Sequence, residues 1–384
     1  MRKKLPYATL IVLALFLTLP YITSAFKMPV VYELSYYVEI SGEDNFTINV
    51  PLPPKLSWQE TLNVNVTAKK GNGIVEPNNT GGYIRIKGFN SLKTEAKAYV
   101  LTIGSYDNEI ILEKLNVTFE DYLRSIRKNL RNYGDLVKPT YWWNYSDPRF
   151  NIFLKDFVRK YNLTSVDELK KLRLKEVLSM IRGYVSEKLK YRPIPGGRQN
   201  IFEALNRSMG DCSEYSDAFI VFSRYLGIPT LRCVGYVAHE WNSEFKEYEV
   251  VGHAWPIIYI EDVGWVPYEV TVGPGYLRGA PGDISPKYIC LLVDSGVKSI
   301  NNLNLNEDVI YDPKENWVPG SSSAINLGNL TLTIEISVKP KPQFKILEKS
   351  SVDFLAISVS IFPLIIIITL SLSIIVIIGD VIER

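Results

Sequence analysis

The sequence predicts an α+β protein: an N-terminal β-sandwich, a mixed helix-and-sheet core and a C-terminal transmembrane helix. Three observations predict it. Residues 28–116 consist of β-branched and aromatic runs divided by Pro and Gly, and from Phe119 the apolar spacing becomes helical. Residues 354–379 then form a 26-residue run without a charge.

Residues 1–25 read as a signal peptide or signal anchor. Arg2, Lys3 and Lys4 precede an uncharged stretch that ends on the small pair Ser24-Ala25, the layout of a secretory leader. In 28–116, runs at 32–40, 45–50 and 62–67 alternate fully or in part. Pro51, Pro53, Pro54, Gly71, Gly73, Gly81 and Gly82 break them at short intervals, which favours a small antiparallel sandwich. The second part, 119–295, opens with helices at 119–132, 148–161 and 166–191. The last carries Leu169, Leu172, Val177, Leu178, Ile181, Val185 and Leu189 at helical spacing, a core-facing stripe.

A Pro-Ile-Pro-Gly-Gly loop at 193–197 leads into a helix and three strands that run to about Thr271. Residues 296–352, rich in Asn, Ser, Pro and Gly at first, read as linker and β stalk, with a strand at 330–338. The run at 354–379 is long enough to cross a ~30 Å hydrocarbon core, and Pro363 is better tolerated in a membrane helix than in a soluble one. With the basic N-terminus held inside, the expected place is the cell membrane, with one C-terminal anchor and the bulk of the chain extracytoplasmic. Eight Asn-x-Ser/Thr sequons, at Asn45, Asn65, Asn78, Asn116, Asn144, Asn162, Asn206 and Asn329, fit a glycosylated outer surface.

A net charge of +2 over 384 residues lacks the basic footprint of a nucleic-acid binder. Two histidines and no Cys-x-x-Cys argue against a zinc site, and no EF-hand or phosphate loop is visible. No cofactor or metal is therefore expected.

The chemistry concentrates at one cysteine. Gly210-Asp-Cys-Ser-Glu214 reads as a helix start, with Asp211 as N-cap and Glu214 completing a capping box. Tyr215, Ala218, Phe219, Phe222 and Leu226 form the apolar face, and Gly227 and Pro229 end the helix. Cys212 falls at the first helical position, where free N–H groups and the macrodipole favour a thiolate; a buried, inert cysteine is the plainer alternative. A thiol nucleophile needs a base, and His253 opens an apolar strand. Glu269 lies sixteen residues on, in a second strand at 265–271. In a hairpin centred on Glu261 the two side chains share a face and meet directly. His239 is expected in a polar connection between strands. Trp255 and Trp265 are read as cleft lining or core. Cys233 and Cys290 lie in β-like runs, and their pairing stays open.

These residues together resemble the transglutaminase-like superfamily: Gly210-Asp-Cys212, Gly227-Ile-Pro-Thr-Leu-Arg232, Gly235-Tyr236, His253-Ala-Trp255 and Trp265-Val-Pro-Tyr-Glu-Val-Thr271, over 166–271. The preceding part, with residues 50–54 and Gln59, is similar to β-domains attached to such cores in prokaryotic members. The resemblance implies a papain-like core, with the cysteine helix packed on an antiparallel sheet. It also implies Cys212 as nucleophile, His253 as base and Glu269 as orienting acid. The family usually carries aspartate at that third place, so Glu269 is a departure. The implied activity is amide or peptide-bond chemistry through a thioester, on a protein or peptide substrate. An idle core serving as a binding or cell-envelope scaffold is the alternative.

Overall fold

The computed structural model describes residues 30–43, 45–78, 83–102, 108–131, 133–192, 198–242, 247–271, 281, 288–294, 296, 309–310, 323–327 and 330–341. The leader at 1–25, the 193–197 loop and the apolar run at 354–379 lie outside the described residues. Among the described residues no helix is long and apolar enough to cross a membrane.

The first four strands are β1 (Val30–Gly42), β2 (Asn45–Pro51), β3 (Gln59–Asn78) and β4 (Tyr83–Thr102). The runs read at 32–40 and 45–50 are β1 and β2, whereas the run at 62–67 is part of one long hairpin. β3 and β4 pair from Gln59↔Thr102 to Asn78↔Tyr83, straight through Gly71 and Gly73. Those glycines mark a register shift, not a turn. A Cβ on Gly71 would lie 2.4 Å from Ser91 O, and its φ of +112° excludes most side chains. β1 and β2 lie end to end along the other edge of β4, Ile40 opposite Leu92 and Asn45 opposite Phe89. Both ladders break where Asn90 has a φ of +64°.

The strands of residues 28–116 belong to one seven-stranded sheet, which also takes in strands from far down the chain. β13 (Leu330–Lys341) pairs with β1 from Val31↔Lys341 to Gly42↔Leu330, and β12 (Ser323–Leu327) pairs with β13. A parallel contact to β2 comes from β11 (Val309–Ile310). The strand read at 330–338 is thus a full sheet member. Its place in the sheet, and not in a stalk, has no local signal because its pairing partners lie about 300 residues away.

The helices follow as α1 (Asn108–Leu115), α2 (Phe119–Asn129), α3 (Tyr133–Val137) and α4 (Phe150–Lys160). The helix expected over 166–191 is divided into a 3-10 turn (Val166–Lys171) and α5 (Leu174–Lys188). The break is a backbone contact: Phe119 N donates to Leu172 O at 2.7 Å, and Leu174 N donates to Val117 O at 3.0 Å. Arg173 N then donates to Glu176 at 2.8 Å and starts the new helix. Leu169, Val177, Leu178, Ile181, Val185 and Leu189 are buried, as their spacing requires.

Next come β5 (Lys190–Tyr191), α6 (Ile201–Arg207), β6 (Met209–Gly210) and α7 (Cys212–Tyr225). A four-stranded sheet in the order β10-β7-β8-β9 packs against α7. It consists of β7 (Thr230–Asn242), β8 (Glu247–Ile260), β9 (Gly264–Pro267) and β10 (Tyr288–Asp294). His239 lies inside β7, at the register shift between Ala238 and Glu240, and not in a connection as expected.

The two sheets share their interior. Tyr236, Ile289 and Leu291 of the smaller sheet belong to the core formed by Tyr32, Leu34, Ile86 and Val100 of the larger one. Trp58, just before β3, is buried in turn with Cys233, Trp255, Tyr288 and Cys290 of the smaller sheet.

Candidate active site

Helix α7 presents Cys212 at its N-terminus. Asp211 is extended, and its carboxylate accepts Ser213 N at 2.9 Å, while Glu214 accepts Asp211 N at 2.9 Å. This is the capping box read from the sequence. Every residue from Glu214 to Arg224 is buried, so the helix runs through the core. Gly227, with a φ of +86°, closes it under the Tyr133 hydroxyl. Cys212 itself is partly exposed. The Ser216 hydroxyl sits 2.7 Å from Cys212 O and 3.0 Å from Ala254 O, and so ties the first turn of α7 to β8 beside His253.

His253 is buried in β8, and its Nε2 lies 2.7 Å from Glu269 Oε2. The hairpin that joins them differs from the expected one. It pairs Ile257↔Pro267 and Ile260↔Gly264, so it centres on Asp262, and β9 ends at Pro267. Asp262 has a φ of +63° and Gly264 one of +92°. Moving the centre by one residue moves each partner by two, and that keeps the face. Glu269 therefore still points at His253, but from the chain beyond the strand. Tyr268 N donates to Pro256 O at 2.9 Å and carries that segment past β8.

Cys212 lies close enough to the His253 ring to help raise its pKa, while Nε2 is engaged by Glu269. Burial acts most strongly on His253 and would lower its pKa. The Glu269 charge and the contacts to Cys212 and Glu269 outweigh it, and the imidazole is pushed up to about 10. On Glu269 burial is again the largest influence, raising the carboxyl, but the His253 charge and the hydrogen bonds from His253, Thr271 N and Tyr288 leave it below its ordinary value. The three residues picked from the sequence are thus brought together. The arrangement can hold a proton on His253 beside the Cys212 sulfur.

Three features escaped the sequence reading. Tyr288 donates its hydroxyl to Glu269 Oε2 at 2.8 Å. Gln59 accepts Cys290 N at 2.8 Å and donates to Cys290 O at 2.7 Å. Arg198 forks onto Asp217 at 2.6 Å through Nε and Nη2 and reaches Asp294 at 3.0 Å, where Arg232 also binds at 3.1 Å. The resemblance touched two of them, through Arg232 of the Gly-Ile-Pro-x-x-Arg pattern and through Gln59, without pointing to either contact. Trp255 is core, with its ring stacked on His253 at 5.8 Å and 22°, and Trp265 is partly buried against the same cluster. Cys233 and Cys290 are buried free thiols that share a hydrogen bond, and burial foremost pushes Cys233 up. Among the described residues no cluster of His, Cys, Asp and Glu suits a metal ion.

Fold and site together define an α+β protein with a cysteine at a helix N-terminus and a buried histidine–carboxylate pair on the adjoining sheet. Residues 164–270 match the model of the transglutaminase-like superfamily, so the chain carries a transglutaminase-like domain there. A crystal structure of a candidate cysteine protease from Cytophaga hutchinsonii is similar over 82% of this chain and 92% of its own. The TM-score is 0.50 and the identity 13%, which speaks for the fold alone. The periplasmic domain of TgpA from Pseudomonas aeruginosa aligns over 62% of this chain and 87% of its own, with TM-score 0.28 and 11% identity. YebA of Bacillus subtilis (strain 168) is 35% identical over 82 residues, 20% of this chain; the chain spans only 11% of that protein.

Proposed function

We propose that this chain is a cysteine peptidase, amidase or transamidase that works through a thioester on Cys212. The observation that carries the reading is the contact sequence Cys212–His253–Glu269 at the N-terminus of α7. With the proton on His253, the Cys212 sulfur attacks a carboxamide or peptide carbonyl, forming an S–C bond and a tetrahedral oxyanion. The Cys212 backbone N–H, at a helix start with free donors, is placed to receive that charge. When the C–N bond breaks, the amine leaves with the proton from His253, and an acyl thioester remains. Water or a second amine then adds to the thioester and gives its proton to His253 as the sulfur departs. Glu269 keeps the imidazole oriented and balances its charge.

The reading places this site outside the cell, on a chain held by residues 354–379. It is supported by the basic-then-apolar N-terminus, the 26-residue uncharged run and the sequons. Asn45, Asn65, Asn116, Asn144, Asn162 and Asn206, whose side chains are described, are all exposed.

Alkylation of the full chain across pH, mapped by peptide mass spectrometry without reduction, tests the catalytic reading. Cys212 is expected to label first at neutral pH, ahead of buried Cys233 and Cys290. In His253→Ala its rate is expected to fall at least about tenfold. A Cys212 that labels like a model thiol and ignores the substitution would leave the scaffold reading in its place.

A further inference from the structure

The catalytic carboxylate has more partners than its imidazole. Glu269 Oε1 accepts Thr271 N at 2.7 Å, and Oε2 accepts both the His253 ring and the Tyr288 hydroxyl, the latter at 2.8 Å. Both oxygens are thus held, by donors from three segments: β8, β10 and the chain just after Glu269. Tyr288 opens β10, is 2% exposed, and stands edge-on to His253 (5.7 Å, 72°) and to Trp255 (5.2 Å, 86°).

Two residues along, β10 shifts register against β7 between Cys290 and Leu292. Gln59 reaches that point from the large sheet, 231 residues away in sequence, and engages both the N–H and the C=O of Cys290. The same amide nitrogen donates to Pro54 O at 2.9 Å. One side chain thus stands in for a strand neighbour at the irregular point of β10.

We infer that Tyr288 is a positioning residue of this site: its hydroxyl keeps Glu269 ionised and aimed at His253, and Gln59 holds the strand that carries it. The inference rests on the reading of Cys212, His253 and Glu269 as the catalytic set, and adds to it a residue that touches no reacting atom. A hydrogen bond donated to a carboxylate stabilises the charged form and opposes the penalty of burial. Without it, Glu269 takes up a proton at higher pH and is free to turn away from the ring.

Tyr288→Phe in the full chain separates this role from packing, because the ring and both aromatic contacts remain. With only two histidines in the chain, selectively labelled imidazole resonances report, through His253, the pH at which Glu269 is protonated. That midpoint is expected to rise by about one pH unit in Tyr288→Phe, a roughly tenfold change in the proton equilibrium. Alkylation of Cys212 near pH ~5 is expected to slow in proportion, with little change near pH ~8. Gln59→Ala is expected to move the midpoint the same way by a smaller step; no movement there removes Gln59 from the account. An unchanged midpoint in Tyr288→Phe overturns the inference even where wild-type Cys212 is reactive. A wild-type Cys212 that alkylates like a free thiol overturns the catalytic reading instead, while the His253 resonance still decides the role of Tyr288.

Discussion

At the residue scale, the His253–Glu269 contact is a buried ion pair, and its value depends on pH. Glu269 sits below its ordinary value, so its contribution is present above the unfolded carboxylate pKa of ~4.3 and is lost as pH falls through the lowered folded value. His253 is pushed up to about 10, so its contribution is full below the unfolded value of ~6.5 and is lost as pH rises through about 10. Glu269→Gln keeps the shape and removes the charge. It is expected to destabilise the protein by roughly 3 kcal/mol near neutral pH, in the range for breaking one side of a buried pair. Thermal unfolding followed across pH checks this. The gap between wild type and variant should narrow as pH climbs past about 10, and a gap independent of pH would speak against the pair. Legibility at this scale was high. Cys212 and His253 announce themselves because rare residue types stand at a helix cap and on a strand, and Glu269 follows from its even spacing to His253. Tyr288 did not, because a tyrosine in an apolar strand looks like core.

At the element scale, α7 is held by charge as well as by its apolar faces. Asp217 is in its middle, with its side chain 1% exposed, and receives the Arg198 fork, Arg232 at 3.6 Å and the Trp143 indole N–H at 2.7 Å. Asp294 of β10 completes the set, so two guanidinium groups meet two carboxylates inside the core. Burial, and then the nearby Arg232, push Arg198 down, so these charges hold only as a group. Asp217→Ala leaves two guanidinium groups to share Asp294 and is expected to cost about 3–5 kcal/mol, read by urea unfolding; a loss under ~1 kcal/mol would mean that solvent reaches the site. Sequence periodicity identified α7 correctly, since capping residues and apolar spacing are local. It overran at 166–191, because what divides that helix is the backbone of residues 117–119, which no pattern inside the segment records.

At the scale of the whole molecule, residues 28–341 form one compact unit. Gln59 opens β3 and Trp58 precedes it, and both pack on the sheet that carries His253 and Tyr288, so the β-part and the cysteine part share buried contacts. The proposed placement at a membrane is tested by fractionation. The full chain should sediment with membranes and be released by detergent, and a chain ended at Ser350 should become soluble while keeping Cys212 reactive. A full chain recovered in the soluble fraction would overturn the anchor, and a mass equal to that of the bare sequence would argue against glycans on the exposed asparagines. By itself, the amino-acid sequence determined the helix that carries Cys212, the strand face of His253 and the class of chemistry they suit, because capping, periodicity and residue type act over a few positions. Only the tertiary structure decided that β13 completes the first sheet, that Glu269 reaches His253 from beyond its strand, and that Gln59 and Tyr288 stand behind them. Those contacts join residues tens to hundreds of positions apart, and they exist only once the chain has closed its loops and buried a shared core.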